Sequence, residues 1–335
     1  MKVSFVRRVR TINAGDAPEA AAFIRRFYPF ADRLGHLLPD LLRRLLMEET
    51  LNGVVVEYVH DNDENPEIAA VGLSGFVSEA CAKEFLASPT PRLEFTLLER
   101  ARKQEPAFLT YDEIAEANAG EGLTLFPLFW LQRSNDPADP EAHILLGLGQ
   151  QTFWRRHRGY RLSRVLKEVP AEMAAAFLSG GFKEHCRFPA GTPLGAFPDV
   201  ALEQDRVIFT ATPDVEASWP ASVVGQLFAH QAPRCGFTRF ERQVLVRAAD
   251  GLTDAKIALA LGISLTAVSL RWRSIYARLF ECLPALLPSE DDSNGARGQE
   301  KRRTVIAFIN EHPEELRPYA RPVRRQNHNR VAQEA

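Results

Sequence analysis

The sequence predicts an α/β unit, with a mixed and largely antiparallel sheet covered by helices, followed by a small all-α unit. Three observations carry that prediction. Strand-like alternation and helix-like apolar spacing interleave from residue 2 to residue 212. A junction at Ala232-Pro233-Arg234-Cys235-Gly236 then interrupts the pattern. Beyond it lie three short helical segments, each opened by its own capping residue. The totals agree: 335 residues suffice for two domains, and 45% hydrophobic with 25% charged residues excludes a wholly disordered chain.

In order, residues 2–10 alternate as a strand, and 17–28 and 31–49 read as helices with a broad leucine face. Residues 52–60 and 67–77 are β-rich and flank the polar turn 61–66, the pattern of an antiparallel hairpin. Helices are expected at 78–86 and 92–103, and Thr110-Tyr111-Asp112-Glu113 starts a short one. The apolar run 123–132 reads as a strand buried on both faces. A helix at 140–156, a strand at 161–169, a helix at 171–179 and strands at 182–188 and 206–212 complete the α/β unit. A further helix is expected at 221–230.

The three capped segments carry the clearest signal. Thr238 and Glu241 stand three apart as a capping box, opening a helix with Val244, Leu245 and Ala248 inward and Gly251 at its end. Thr253 caps residues 254–261, with Ile257, Ala258 and Leu261 inward. Gly262-Ile263-Ser264 is the turn, and Ser264 caps residues 265–280, which bury Val268, Ile275 and Leu279 and expose Ser269, Arg271, Arg273 and Arg278. Two helices joined by a three-residue turn, the second rich in arginine, form a helix-turn-helix. Charge leans the same way: residues 237–335 hold 16 Lys and Arg against 12 Asp and Glu, while the remainder is net acidic.

Together Thr238, Glu241, Arg242, Val244, Leu245, Gly251, Leu252, Thr253, Ile257, Ala258, Leu261, Gly262, Ile263, Ser264, Val268, Ile275, Tyr276 and Leu279 resemble the LuxR-type family of DNA-binding domains. The resemblance implies that residues 265–280 enter the major groove of double-stranded DNA. Thr266, Ser269 and Leu270 would face the groove, Arg271, Arg273 and Arg278 the backbone, and Lys256 a further phosphate. The chain departs from the family at Ser269, where lysine is usual, and at Arg271 and Trp272. Trp272 is expected to pack against the rest of the protein. The family's fourth helix follows the third closely, whereas here Pro284, Pro288 and an acidic loop precede a helix at 299–312, so dimerisation stays open. Lys301-Arg302-Arg303 reads as a solvated basic face.

No receiver-type set of aspartates and lysine marks the α/β unit. Its element order, with Arg158-Gly159-Tyr160-Arg161-Leu162 and Gly180-Gly181-Phe182, resembles a GNAT acyltransferase fold over residues 2–188. That family grips a cofactor pyrophosphate at the N-terminus of its central helix. Here the position falls on Asp136-Pro-Ala-Asp-Pro-Glu-Ala-His143, where two prolines lack amides and three carboxylates repel an anion. The histidines 143, 157, 185 and 230 have no metal-ligand spacing, Ser74-Gly75 and Ser78 lack a nucleophile-elbow frame, and Glu94 and Tyr111 stand as unranked acid–base candidates. No catalytic set, cofactor or metal is expected.

The resulting expectation is a DNA-binding transcriptional regulator whose α/β unit (1–231) senses a small ligand or a partner, joined to a DNA-binding unit (232–284). A loop and helix (285–320) and a disordered basic tail (321–335) follow. The alternatives are an acyltransferase fused to a DNA-binding module and an α/β unit that serves only protein contacts. Expected partners are double-stranded DNA, with a small-molecule ligand and a second copy of the chain as further candidates. No membrane is expected, since no apolar run is long enough to cross one. Four scattered cysteines without a Cys-x-x-Cys pair suit a reducing cytoplasm and no disulfide.

Overall fold

Strands and helices alternate in the computed structural model, which describes residues 5–60, 66–213, 224–287 and 297–320. The chain opens with β1 (Phe5–Thr11), α1 (Ala17–Phe27) and α2 (Leu38–Met47), then the hairpin β2 (Leu51–His60) and β3 (Glu67–Val77). Helices α3 (Glu79–Ala87), α4 (Leu93–Arg102) and α5 (Tyr111–Ala119) lead to β4 (Leu123–Gln132) and α6 (Pro140–His157). Then come β5 (Leu162–Pro170), α7 (Ala174–Ser179), β6 (Lys183–Phe188) and β7 (Arg206–Ala211). The last helices are α8 (Arg239–Ala249), α9 (Asp254–Leu261), α10 (Leu265–Cys282) and α11 (Arg297–Glu311).

The strands form one seven-stranded sheet in the order β1-β2-β3-β4-β5-β7-β6, antiparallel except for the parallel pair β4 and β5. This is the mixed, largely antiparallel sheet that the element order and its GNAT-like resemblance lead one to expect. On one face, Ala20 and Ile24 of α1, Leu38 and Leu42 of α2, and Phe95 and Leu98 of α4 pack on Val55, Val71 and Phe126. On the other, Leu145 of α6 meets Val56, Tyr58 and Ala70, and Ile114 of α5 meets Phe76, Leu125 and Val165. With apolar residues taken up on both faces, β3 and β4 lose strict alternation, which explains their continuous hydrophobic runs.

Some boundaries differ from expectation. The predicted helix at 31–49 divides: Gly35 leaves helical geometry at φ 67°, residues 29–37 wind as 3-10 turns, and α2 begins only at Leu38. Residues 171–173 are likewise a 3-10 turn before α7. Within the expected helix at 221–230, the described part is a 3-10 segment, Val224–Phe228. The hairpin turn at 61–65, most of the acidic loop at 288–296 and the tail at 321–335 lie outside the described residues.

Helices α8 to α11 share one apolar core of their own, from Cys235 and Phe237 through Val244, Ile257, Val268, Trp272, Ile275 and Leu279 to Val305, Phe308 and Ile309. All three predicted caps form. Thr238 and Glu241 make the reciprocal box, and the Thr253 and Ser264 side chains accept from the backbone amides of Lys256 and Ala267. Gly262, at φ 63° and ψ 35°, holds the left-handed geometry that ends α9 and lets α10 leave at a bend of 107°. Rather than standing apart behind a loop, α11 inserts into this core.

One expectation is corrected. Cys235 and Cys282 form a disulfide across a sequence separation of 47, with Cα atoms 5.4 Å apart. The residues sit at the entry to α8 and the last turn of α10, and only the packing of those helices brings them together. Spacing along the chain carries no trace of it.

The helical unit is fastened to the sheet by charge. The buried Asp250 carboxylate, at the end of α8, accepts from the Thr11 amide at 2.8 Å and from Arg156 at 2.7 Å, with Arg155 at 3.5 Å. Arg239 pairs with Glu49 at 2.9 Å. After α11 the chain crosses back over the sheet unit, where Arg317 donates to the carbonyls of Arg155 and Arg158 at 2.7 and 2.9 Å. A cation is thereby placed at the C-terminal end of α6, where the helix dipole favours one. Gly159, at φ 86°, makes room for this crossing, since a Cβ there would lie 2.6 Å from the Glu314 nitrogen.

Candidate functional site

Two places concentrate chemistry: the outer face of α10, and a wedge in the sheet between β4 and β5. Helix α10 is two-sided. Val268, Trp272, Ile275 and Leu279 are buried, while Thr266, Ser269, Leu270 and Arg273 face solvent, as does Lys256 of α9. No hydrogen bond or ion pair engages those exposed side chains among the described residues. Arg271 is held differently: its guanidinium lies 4.9 Å above the Phe240 ring, with Nη1 buried and without a hydrogen-bond partner. Arg278 is committed within the unit, donating to Glu241 at 3.1 Å.

Glu241 is the polar centre of this unit. It completes the α8 cap and also accepts from the Ser274 hydroxyl at 2.6 Å. Burial pushes its carboxyl up, but the bonds from Ser274 and Thr238 and the Arg278 cation outweigh that and hold it below its ordinary range. Trp272, as expected, packs inward. Its ring stacks on Tyr276, its indole N–H donates to Asp254 at 3.2 Å, and Arg302 of α11 lies 4.9 Å over its face. Arg302 also pairs with Asp254 at 2.6 Å, so the middle of the basic triplet is a brace and not a solvated face.

The wedge arises from how β5 changes partners. It pairs with β4 only through Leu123–Leu125, then turns away along β7, leaving the second half of β4 without a neighbour on that side. Lys167 reaches into the opening and donates to the Pro127 carbonyl at 2.9 Å. Burial pushes this ammonium down to about 8. Beside it lies a buried charge cluster that sequence reasoning did not assemble. The Glu168 carboxylate accepts from Arg206 at 2.7 Å and, on its other oxygen, from the Arg92 amide at 2.7 Å, capping α4. Arg92 adopts a left-handed φ of 62°, stacks 4.8 Å over Tyr28, and stands 3.4 Å from Glu94. Burial and the neighbouring Glu94 both raise the Glu168 carboxyl. Glu94 is in view from sequence, but beyond Arg92, two residues before it, the cluster draws on Lys167, Glu168 and Arg206 from other elements, which share no motif with it.

The remaining sequence candidates have structural explanations. Tyr111 lies at the seam between sheet and helices, accepting from Arg242 with Arg239 4.5 Å over its ring. Ser74 and His157 do meet, at 2.8 Å, but the pair is buried and the imidazole gives its other nitrogen to the Phe153 carbonyl. Burial drives His157 down to about 3, so it takes no proton from a serine near neutrality. His143 and His185 bond to backbone carbonyls. Among the described residues no group of ligating side chains has a metal-binding arrangement.

The N-terminus of α6 does not fit a pyrophosphate. Pro140 brings no amide, the Glu141 amide donates to the side chain of Asp139, and the Glu141 carboxylate is held by Arg7 and Tyr58. The anion seat is filled by the protein's own acids.

No family model matches the chain, and no curated protein matches it. Solved structures of coarse likeness include NAA60 of Arabidopsis thaliana with acetyl-CoA, at 14% identity and TM-score 0.36, covering 62% of this chain and 98% of that one. Ribosomal-protein-S5-alanine acetyltransferase from Vibrio fischeri has 11% identity and TM-score 0.33, covering 64% and 100%. FeeM, an N-acyl amino acid synthase from uncultured soil microbes, has 10% identity and TM-score 0.34, covering 63% and 93%. Scores of this size describe an outline only.

Proposed function

We propose that the chain is a DNA-binding regulator, with α9 and α10 as a helix-turn-helix of LuxR type and the α/β unit before about residue 232 as the part that receives the signal. The observation that carries this reading is the two-sided α10. A helix set at 107° to its predecessor buries one face and leaves Thr266, Ser269, Leu270 and Arg273 unengaged on the other. An α-helix so presented fits the major groove, with short polar side chains near base edges and Arg273 and Lys256 near phosphates. Arg271, leaning on Phe240, borders the same surface. Arg278 is left out of the interface because Glu241 holds it.

A mobility-shift titration against fragments of the source genome tests the proposal. The expected result is one or a few fragments bound far more tightly than the rest. Uniform weak binding to all fragments, or none, overturns it. Arg273→Ala is expected to weaken binding to every sequence and to lower the salt slope by about 1, as for a lost phosphate contact.

One observation favours a second reading, an acyltransferase fused to a DNA-binding unit: the wedge beside β4, with its half-buried Lys167 and buried Glu94 and Glu168. The self-filled start of α6 counts against it. Calorimetry with acetyl-CoA separates the two, micromolar binding supporting the enzyme.

A further inference from the structure

The seam between the two units carries more cationic than anionic groups. Arg155, Arg156, Arg158 and Arg317 stand along the last turn of α6 and the chain that crosses it; Asp250 pairs with Arg155 and Arg156, while Arg317 donates to backbone carbonyls of Arg155 and Arg158. The nearby acids are engaged elsewhere. Glu315 accepts the Arg234 and Cys235 amides at 2.7 and 3.1 Å, and Glu314 pairs with His312 at 3.1 Å. Arg156 keeps a buried Nε without a partner, and no hydrogen bond or ion pair holds the exposed Arg158 guanidinium among the described residues. Arg155 has one long contact to Asp250, and burial together with Arg156 lowers its pKa. Arg158 thus offers its guanidinium free and Arg155 gives up only one long contact, so a carboxylate that reaches both gains charge-assisted bonds without breaking a close pair.

The seam opens into a cleft of about 310 Å3, lined by Gln151, Trp154, Arg155 and Arg158 of the sheet unit and by Asn310 and Pro313 of the helical unit. That volume lies at the low end of ~300–1,000 Å3 for small-molecule sites. Its chemistry is specific: a half-buried indole for a flat apolar body, guanidinium forks for a carboxylate, and two amides for further polar atoms.

We propose that this cleft binds a small aromatic carboxylate, and that the bound molecule bridges α6 and the end of α11. The inference rests on the reading of the α/β unit as a receiver of signals and names where the signal enters. Because both units line the cleft, a ligand there changes how firmly the helical unit is held to the sheet. Binding favours whichever relative placement closes on the ligand.

The test is calorimetric titration of the full chain, without DNA, using benzoate, phenylacetate and indole-3-acetate, with benzyl alcohol and inorganic phosphate as comparison probes. At least one of the carboxylates is expected to saturate a single site and to change Trp154 fluorescence. Arg158→Ala is expected to weaken it by about tenfold or more, the loss of one charge-assisted contact. Arg273→Ala, on the distant face of α10, is expected to leave it unchanged. Trp154→Phe is expected to retain binding within a few-fold while removing the fluorescence change.

The proposal is overturned if none of the three carboxylates binds up to 10 mM, a limit set at about 3 kcal/mol of affinity. It is equally overturned if Arg158→Ala and Asn310→Ala bind as wild type, or if benzyl alcohol or phosphate binds as well as the carboxylates. Since the readout uses the protein alone, a negative result leaves the DNA-binding proposal standing. A failed mobility shift in turn leaves this one intact.

Discussion

Breaking the Cys235–Cys282 disulfide is expected to destabilise the helical unit by an amount that its loop length sets. The bond closes a loop of 47 residues, from the entry of α8 to the last turn of α10. In the chain-entropy model a loop of that length restricts the unfolded state by about 4 kcal/mol at 25 °C, an upper figure because unfolded chains keep some structure. With a urea slope of ~2 kcal/mol/M, reduction shifts the unfolding midpoint down by up to ~2 M. The assay is urea unfolding followed by helical circular dichroism, with and without reductant, on wild type and on the double variant Cys235→Ser/Cys282→Ser. Wild type should respond to reductant; the double variant should not. A count of free thiols in denaturant gives a second check, expecting two, Cys81 and Cys186, before reduction and four after. Four thiols without reductant, or the same midpoint shift in both proteins, refutes the reasoning.

Three more outcomes follow from buried groups and one close approach. Burial keeps His157 neutral in the fold, with its pKa pushed down to about 3, while the unfolded chain protonates it near ~6.5. Stability is therefore lost as pH falls from about 6.5 toward 3, by up to ~1.4 kcal/mol per unit, and His157→Gln should flatten urea midpoints between pH 7 and 5. Equal losses in both proteins refute this. Lys167 runs at higher pH: its folded pKa of about 8 lies below the unfolded ~10.4, so the unfolded state alone keeps the proton between these values and stability rises with pH there. Wild type should gain up to ~2 kcal/mol on Lys167→Met from pH 7.5 to 9.5, and a constant gap between them contradicts it. Finally, Gly262→Ala should cost only the ~1–2 kcal/mol of a left-handed residue, because nothing lies near a Cβ there. Gly159→Ala, driven into the Glu314 backbone, should cost clearly more in a urea titration; equal costs would mean that the crossing segment yields freely.

How much of this was legible in the sequence follows from the range of each signal. Caps and periodicities act over three or four residues, so Thr238 with Glu241, Thr253, Ser264 and the Gly262 turn were readable, and α8 to α10 begin where they indicate. The hairpin β2–β3 and the apolar β4 were equally plain, since pairing there is sequential and burial on two faces writes itself as a continuous run. The division of residues 31–49 was missed because the leucine face continues through Gly35 and Pro39, and periodicity alone does not register the break. What packing at a distance decides had no local mark. The Cys235–Cys282 bond depends on where α10 ends relative to α8, and Arg278 turns from a surface cation into a brace only because Glu241 faces it across the core.

The sequence by itself therefore determined the kinds of element, their order and the two-sided character of α10. Hydrophobic spacing and backbone chemistry fix these within each segment. Tertiary structure alone decided that α11 joins the helical core, that β5 leaves β4 to open a wedge, and that Arg92, Glu94, Lys167, Glu168 and Arg206 share it. It also decided that four arginines and one aspartate meet along the seam. Charges from segments this far apart in the chain come within reach of one another only through the fold, and where the pair is buried the lower dielectric strengthens the contact.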